Sequence, residues 1–368
     1  MTEQTTTAEP AGAETPAGSA VSETAKPQGI SLWRYIAIRF VLIIPTVLIL
    51  VTLVFILMRM TGDPITAALG GRLTPDQLAE RIHEAGYDRP LIWQYLDYLG
   101  GVFTGDFGTA LSDGRPVVEM LGQFGTATLE LTAYALVVSF IVGIPLGMIA
   151  AHRRDSLPDA VLRIFAILCY ATPVFFFGLL LKLIFAVYLD VLPVSGRVTT
   201  GSEVALSDLV SPSGINFIDA LRLGNTEVLA DVVSHAVLPA LALGLLTAGV
   251  FLRLVRTNMI GTLSMDYVSA ARSRGVRERR LISKHAFRPA LIPIITVMGM
   301  QIAMLLAGAV LTETTFEWKG LGFMLAQYLV ARDFVAVQGI VIMLAVIVAV
   351  TNFIVDIVAA LIDPRVRY

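Results

Sequence analysis

Six long apolar stretches constrain this chain more than any other feature of its sequence. Each is about as long as the roughly 20 residues that an α-helix needs to cross the hydrocarbon core of a bilayer. The chain is 56% hydrophobic and only 15% charged, whereas soluble domains carry about 25% charged residues. The sequence therefore predicts an all-α polytopic membrane protein with six transmembrane helices, at residues 36–58, 128–151, 164–189, 236–255, 290–311 and 335–362.

Small and kinking residues lie inside these stretches. Gly143 and Gly147 are four residues apart, a spacing that suits close packing of two helices. Membrane helices tolerate proline where neighbouring groups satisfy the freed carbonyl. We therefore expect each stretch to remain one helix although five prolines interrupt them, namely Pro45, Pro145, Pro173, Pro239 and Pro293.

The other segments divide the chain into regions. Residues 1–30 are rich in Thr, Ala, Glu, Pro and Gly and lack aromatic residues, which predicts a disordered cytoplasmic tail. They lack the ordered parts of a secretory signal, so we expect residues 31–60 to be retained as the first transmembrane helix. An extracytoplasmic segment with short helices follows at 61–126, and a five-helix core at 127–368 contains a cytoplasmic loop at 264–288.

Basic residues set the predicted orientation. The segment between the second and third stretches carries Arg153, Arg154 and Arg163, and the segment between the fourth and fifth is the most basic of all. The segments after the first and third stretches are acidic. Because basic loops stay in the cytoplasm, we expect a multi-pass protein of the cell inner or plasma membrane with both termini cytoplasmic.

The first outer segment has local helix signals. Thr74 before Pro75, with Gln77 three residues later, predicts a capping box, and Gly86 marks the helix end. Residues 89–103 alternate at helical spacing, which predicts an amphipathic helix that lies on the outer membrane surface or caps a cavity. We expect residues 63–119 to face outward and to help bind an extracytoplasmic protein through their acids and their aromatic residues Trp93, Tyr95 and Tyr98.

The basic loop has a pattern beyond its charge. Tyr267, Ala270, Ala271 and Arg274 fall at i, i+3, i+4 and i+7, which predicts a short helix with one smooth face. Gly275 permits a left-handed turn, and a second short helix is expected at 277–286. Such a compact element would dock in a partner's groove, with arginines binding acidic groups. The alternative is that the charge only fixes topology and contacts anionic lipid.

"AARSRG" followed by "HAFRPALIP" resembles the EAA loop of ABC-transporter permeases. The chain from residue 33 to 368 resembles the dipeptide/oligopeptide/nickel branch, the DppB/OppB-type permeases, and "ETTFEWKGLGFMLAQYLVARDFVAVQG" and "NFIVDIVAALIDPRVRY" carry further likeness. Three positions depart from the pattern. Ser269 replaces a glutamate, Pro289 after Arg288 replaces an asparagine, and Lys319 replaces a proline.

The resemblance implies a type I ABC importer permease with the MetI-like fold. It implies a second related permease, two ATP-binding subunits, an extracytoplasmic substrate-binding protein and membrane lipid as partners, and no nucleic acid. It assigns coupling to the ATPases to nine loop residues: Asp266, Tyr267, Ala270, Ala271, Arg274, Gly275, Arg277, Leu281 and His285. The implied cargo is a dipeptide or oligopeptide, with nickel or haem left open.

No Walker A sequence occurs in the chain, so it cannot bind ATP by that route. We therefore expect no cofactor on this chain, with ATP and Mg on partner subunits, and no enzymatic activity, catalytic residue or metal site. A self-contained carrier or channel is one alternative, and an intramembrane enzyme is another. A carrier would use intramembrane charges, for which the candidates are Lys182, Glu130, Asp356 and Glu313.

The translocation pathway is expected along the second, third and fifth stretches, because they mix polar and bulky residues. The candidates are Thr132, Ser139, Thr172, Phe175, Phe176, Thr296, Gln301 and Met304. Gln301 is the strongest of them, since an amide within an apolar span needs a partner, water or substrate. The alternative is that Thr132 and Thr172 bond their own helix backbone.

Overall fold

The computed structural model describes residues 32–362, so the predicted tail and the final six residues lie outside the described part. The described chain forms α1 (Leu32–Met60), α2 (Pro64–Leu69), α3 (Pro75–Glu84), α4 (Leu91–Thr104), α5 (Val117–His152), α6 (Leu157–Ala171), α7 (Val174–Leu181), α8 (Thr200–Ser207), α9 (Asn216–Leu223), α10 (Thr226–Leu263), α11 (Asp266–Ser273), α12 (Glu278–Arg280), α13 (Phe287–Phe316), α14 (Leu321–Val330) and α15 (Phe334–Ile362). Two π-helical stretches, Lys182–Tyr188 and Leu281–Ala286, continue α7 and α12. The described residues contain no β-strand beyond one isolated bridge between Thr109 and Pro116.

Among the described residues, five helices are long and apolar enough to cross a membrane, namely α1, α5, α10, α13 and α15. The third predicted span is different, because α6 and α7 with its π-helical continuation meet at an angle of 107°. The expectation of one continuous helix at 164–189 was therefore wrong. Thr172 adopts an extended conformation with ψ 128°, as expected of a residue before proline. The six predicted spans are obtained when the bent pair counts as one.

The helices α5 and α10 pack along most of their length. With 36 and 38 residues, they measure about 54 and 57 Å at 1.5 Å per residue, so both extend beyond the hydrocarbon core. A Cβ at Gly143 would lie 2.8 Å from the Cβ of Phe251, and one at Gly147 would lie 2.7 Å from that of Val255. The close packing predicted from this glycine pair is confirmed.

The molecule has two ends. We call the end with residues 61–116, 189–225 and 317–333 the long-loop end, and the end with residues 153–156 and 264–286 the basic-loop end. Ser112 Oγ donates to Asp333 Oδ2 over 2.9 Å at the first. At the second, Arg39 of α1 lies 3.4 Å from Asp356 of α15. The basic loops predicted from the sequence lie together at this end, where Arg153 and Arg279 line the same groove.

The long-loop end is covered by short helices. The capping box of α3 is confirmed, because the Thr74 hydroxyl accepts from the Gln77 backbone and the Gln77 side chain accepts in return. The amphipathic helix α4 packs on α1, where the Tyr95 hydroxyl lies 2.6 Å from that of Thr52.

The helix α14 packs against the first turns of α5 and α15. Because α5 begins at Val117, the last residues of the predicted 61–126 segment belong to this helix.

Candidate coupling and translocation sites

A tightly capped turn shapes the basic loop. The N–H of Gly275 donates to the carbonyl of Arg272 over 3.0 Å, and the N–H of Val276 donates to that of Ala271 over 3.3 Å. Gly275 has φ +79°. This pair of bonds around a left-handed residue is the Schellman motif. It explains the spacing from Ala271 to Gly275, because these residues are the third residue from the helix end and the one just beyond its cap.

The loop is anchored by a few buried side chains and is otherwise exposed. We call residues 266–286 the coupling knob. Val268, Leu281 and Ala286 are fully buried, so Leu281 fixes the knob to the protein and leaves no surface for a partner. Ala271 and His285 are partly buried, and the other predicted coupling residues are exposed, namely Asp266, Tyr267, Ala270, Arg274, Gly275 and Arg277.

The separate second helix predicted at residues 277–286 is not observed. Residues from Glu278 onward pass through the π-helical stretch Leu281–Ala286 directly into α13. Pro289 lacks the N–H that would bond the carbonyl of His285 in an α-helix, and its ring would collide with that carbonyl. The wider π turn makes room for the ring. The hydroxyl of Tyr267 lies 3.4 Å from the carbonyl oxygen of His285 and donates to it.

An ion pair closes the turn from the outside. Arg272 Nε donates to Glu278 Oε1 over 2.7 Å, and both side chains are about half exposed. This hydrogen bond holds the pKa of Glu278 below its usual range. The carboxylate therefore stays ionised, and the pair joins α11 to α12 across the Gly275 turn.

Sequence reasoning missed a second ion pair at this end. Arg256 of α10 donates from Nε to Asp159 Oδ1 over 2.6 Å and from Nη2 to Oδ2 over 2.8 Å. Asp159, in the first turn of α6, is fully buried and also accepts from the N–H of Asp155 over 3.0 Å. Bidentate pairs of this kind fix geometry strongly. They lock α6 to α10 beside the coupling knob.

Two grooves flank the coupling knob. One of about 680 Å³ lies between the end of α5 and α12, with His152, Arg153 and Arg279 in its wall. The other, of about 550 Å³, lies between α10 and α13, with Tyr267 and Pro293 in its wall. The exposed part of the knob therefore stands between two concave surfaces.

At the long-loop end, Glu130 of α5 joins three elements. Its carboxylate accepts from Arg197 Nη2 over 2.5 Å, from the Tyr134 hydroxyl over 2.8 Å and from the N–H of Phe217 over 2.9 Å. The guanidinium of Arg197 also lies 5.5 Å from the ring centre of Trp318. This buried glutamate therefore holds the segment 197–217 onto the bundle.

Glu313 of α13 is also buried and fully bonded. It accepts from the Thr128 hydroxyl over 2.7 Å and from the N–H groups of Gly322 and Phe323 over 2.7 and 3.0 Å. A carboxylate at a helix N-terminus satisfies orphan donors and the helix dipole. Glu313 thereby fixes the start of α14, and a Cβ at Gly320 would lie 2.4 Å from its Oε1.

The other two intramembrane charges also have protein partners. Lys182 Nζ donates to the carbonyl of Thr315 over 2.8 Å and lies 5.5 Å from the ring centre of Phe316. Asp356 pairs with Arg39. All four ionisable residues that a carrier would use are thus engaged in packing contacts between helices.

Two of the pathway candidates lie inside the helix packing. Thr132 is 6% exposed and donates to the carbonyl of Thr128 over 2.8 Å, while Ser139 is fully buried and donates to that of Leu136 over 2.7 Å. Both bond their own helix backbone, which is the alternative that the sequence left open for Thr132. The hydroxyl of Thr172 likewise donates to the carbonyl of Leu168 over 2.6 Å.

The remaining candidates lie on an outer surface of the chain. Phe175, Phe176 and Met304 are 45%, 55% and 60% exposed, and Gln301 is partly buried on α13. The side chain of Thr296 lies outside the described part of the structure. The helices α7 and α13 are in contact, and a Cβ at Gly178 would lie 2.9 Å from the ring of Phe316. We call the exposed side chains of α7 and α13 the open apolar face.

The fold is that of a polytopic α-helical protein with an exposed basic loop. The model of the family described as "Binding-protein-dependent transport system inner membrane component" matches residues 143–368. That of the "Binding-prot-dependent transport system membrane comp, N-term" family matches residues 32–120. The chain therefore belongs to this family, the permeases of ABC importers, and it is a transport subunit rather than an enzyme. The resemblance noted in the sequence is confirmed.

Named relatives match over nearly their full length. The "Dipeptide transport system permease protein DppB" of Escherichia coli (strain K12) is 37% identical over 337 residues, which cover 91% of this chain and 99% of the relative. The "Di/tripeptide transport system permease protein DppB" of Pseudomonas aeruginosa (strain UCBPP-PA14) is 39% identical, covering 91% and 98%. A "Probable D,D-dipeptide transport system permease protein DdpB" of Escherichia coli (strain K12) is 38% identical, covering 83% and 88%.

Proposed function

We propose that this chain is one of two permease subunits of an ATP-driven importer that moves dipeptides or oligopeptides. The observation that carries the proposal is the coupling knob, an exposed basic segment in which α11 ends at the Gly275 turn. The part that follows, from Glu278, runs through the Leu281–Ala286 stretch into a membrane-spanning helix. Such an element would transmit the movement of a bound partner subunit to the helix bundle. The names of the relatives supply the peptide cargo.

The surfaces of the chain match the partners that such an importer needs. The importer has two ATP-binding subunits, which carry the ATP and Mg. One of them docks on the coupling knob of this chain, where the flanking grooves receive its side chains. A second related permease covers the open apolar face, with Phe175, Phe176 and Met304. A substrate-binding protein docks on the long-loop end, where residues 63–119 present acids and the exposed Trp93.

The orientation follows from charge. The basic-loop end carries the arginines of the coupling knob and of residues 153–154, so it lies in the cytoplasm. The long-loop end then faces outward. Because α1 begins and α15 ends at the basic-loop end, both termini are cytoplasmic.

The proposed mechanism is alternating access driven through the coupling knob. Closure of the ATP-binding subunits displaces the knob, and the continuous helical path from Glu278 to Phe316 carries this displacement into α13. The Asp159–Arg256 ion pair joins α6 to α10, so that the two helices move together. A coupling element must be stiff, since both sites bias it. The cargo path then runs along the open apolar face, past Gln301 and Met304.

Reconstitution tests this function directly. The complete transporter in liposomes should take up a labelled dipeptide only with the binding protein outside and ATP inside. The chain alone should neither hydrolyse ATP nor take up peptide down a proton or sodium gradient. Gradient-driven uptake by the chain alone would support a self-contained carrier. Uptake of nickel or haem in place of peptide would overturn the proposed cargo.

A further inference from the structure

A small polar cavity lies at the long-loop end, away from the coupling knob and the open apolar face. It has a volume of about 270 Å³ and lies between the last turn of α1, the helix α4, the segment 105–108 and the first turns of α15. Its walls include Asp97 and Asp106, whose carboxylates bond Arg89 and the N–H of Gly108 respectively. They also include four further polar side chains, Arg59, Gln94, Tyr98 and Gln338. No step of the proposed transport mechanism uses it.

These four side chains share an unusual property. Within the described residues, five buried side-chain polar atoms have no hydrogen-bond partner in the protein, and four of them belong to this cavity. They are Arg59 Nε, Gln94 Oε1, Tyr98 Oη and Gln338 Nε2. Gln94 and Gln338 are each only 8% exposed. Because buried polar atoms are nearly always bonded, this clustering indicates a site that binds a polar ligand.

The chemistry of the four atoms favours an anion. Three of them carry donor hydrogens, and one of these belongs to a cation. The guanidinium of Arg59 lies 4.4 Å from the ring centre of Tyr87 and 5.2 Å from that of Phe55. None of the ion pairs in residues 32–362 includes Arg59. A partly buried cation with no carboxylate at salt-bridge distance is costly, so a bound anion in direct contact would stabilise it.

The other polar side chains of the cavity indicate which ligand group lies next to the anionic one. The Nε2 of Gln94 donates to the carbonyls of Tyr87 and Arg89 over 2.9 and 2.7 Å, which fixes its amide and leaves Oε1 as an acceptor for a ligand donor. Burial raises the pKa of Tyr98 above its usual range, so its hydroxyl stays protonated and can donate. The ligand therefore combines an anionic group with a neighbouring hydroxyl or ammonium group.

The position of the cavity indicates the source of this ligand. Ile56, Leu57 and Met60, on the same turn of α1 as Arg59, are 49%, 48% and 79% exposed and face the lipid around a membrane helix. The cavity is also slightly smaller than the roughly 300–1,000 Å³ of sites for drug-sized ligands. A headgroup fits this space while its acyl chains follow α1.

We propose that this cavity binds the headgroup of a membrane phospholipid. Arg59, Tyr98 and Gln338 donate to the phosphate oxygens, and Gln94 accepts from the hydroxyl or ammonium of the headgroup. The site fixes α4 and the first turns of α15 to α1 at the membrane surface. It rests on the location of the chain in a membrane and is independent of which cargo is transported.

Native mass spectrometry of the full chain, purified in detergent and titrated with phosphatidylglycerol, tests the site. Arg59→Gln should weaken the retention of the lipid at least tenfold. The matched control Arg81→Gln, an exposed arginine of α3 at the same end, should leave retention unchanged. Equal retention by the wild type and Arg59→Gln would overturn the proposal, as would the absence of retained lipid in the wild type.

Two further variants and two soluble competitors test the site independently of whether Arg59→Gln folds. Tyr98→Phe and Gln338→Leu should each weaken retention at least threefold without lowering the yield of folded protein, and unchanged retention in both would overturn the proposal. Glycerol phosphate and dialanine are added as soluble competitors. Failure of both to displace the lipid supports the headgroup site. Displacement by glycerol phosphate at equal affinity would assign the site to a soluble phosphate, and displacement by dialanine to a carboxylate, and either result overturns the lipid assignment.

Discussion

The hydroxyl of Tyr267 lies 3.4 Å from the carbonyl oxygen of His285, the acceptor that Pro289 cannot serve within an α-helix. The side chain of Tyr267 on α11 thus contacts the backbone of the π-helical stretch Leu281–Ala286, where the α-helical hydrogen-bond pattern is interrupted. The relationship connects a departure from the family pattern, proline after Arg288, to a specific contact. It also predicts that Tyr267 and Pro289 together affect how rigidly the coupling knob is held.

The Tyr267 contact should matter only because Pro289 lacks a donor. Tyr267→Phe should lower peptide uptake per ATP hydrolysed by at most about fivefold, since one neutral hydrogen bond contributes about 1 kcal/mol. Pro289→Ala restores a backbone N–H at that position. In the Pro289→Ala background, the effect of Tyr267→Phe should shrink. An equal effect in both backgrounds would show that the hydroxyl acts elsewhere.

The Gly275 turn should tolerate Asn better than other residues. A side chain at Gly275 meets no atom within 4 Å, so the cost of substitution is the left-handed conformation, about 1–2 kcal/mol for most residues. Gly275→Val and Gly275→Asp should reduce co-purification of the ATP-binding subunits about 5- to 30-fold. Gly275→Asn should retain most of it. Membrane insertion should be normal in all three, and equal co-purification throughout would contradict the docking role.

Asp159 and Arg256 should stabilise the bundle only as a pair, because either charge alone would be buried without a partner. Asp159→Ala leaves a largely buried guanidinium unpaired and should cost about 3 kcal/mol, measured as a lower unfolding temperature in detergent. The double variant Asp159→Leu with Arg256→Met should recover much of the loss. Arg163→Ala serves as the control, because Arg163 is half exposed and lies 3.8 Å from Asp159. A loss in the control as large as in Asp159→Ala would refute the assignment.

Gln301 and Thr132 should behave differently in transport. Gln301→Leu should reduce peptide uptake while assembly and basal ATPase activity stay near normal. Thr132→Val should leave uptake near normal, because its hydroxyl donates to its own helix. Failure of the complex to assemble with Gln301→Leu would make Gln301 an interface residue and remove α13 from the pathway.

The orientation has a direct chemical test. With Cys169 replaced by Ala, a cysteine at Gln77 should react with an impermeant reagent in intact cells, and one at Ser273 should not. Gln77 lies on α3 at the long-loop end, and Ser273 ends α11 in the coupling knob. The opposite labelling would invert the proposed topology.

The sequence alone determined the features that local forces control. The positions of the membrane-crossing helices follow from apolar runs, because a bilayer leaves backbone groups no partner except within the helix. Two of these helices, α5 and α10, extend beyond the predicted runs. The Thr74 capping box and the Gly275 turn depend on neighbours within a few residues. Both were predicted from residue spacing for that reason.

Tertiary structure decided the rest. Pro45, Pro145, Pro239 and Pro293 all lie inside continuous helices, and only Pro173 among the five begins a new direction. Because proline has the same chemistry at each position, the surrounding packing determines whether the helix continues through it or changes direction. The partners of Asp159 and Glu130 lie 97 and 67 residues away in the chain. No local pattern encodes such pairs, because a buried charge finds its partner only when the helices that carry them are packed together.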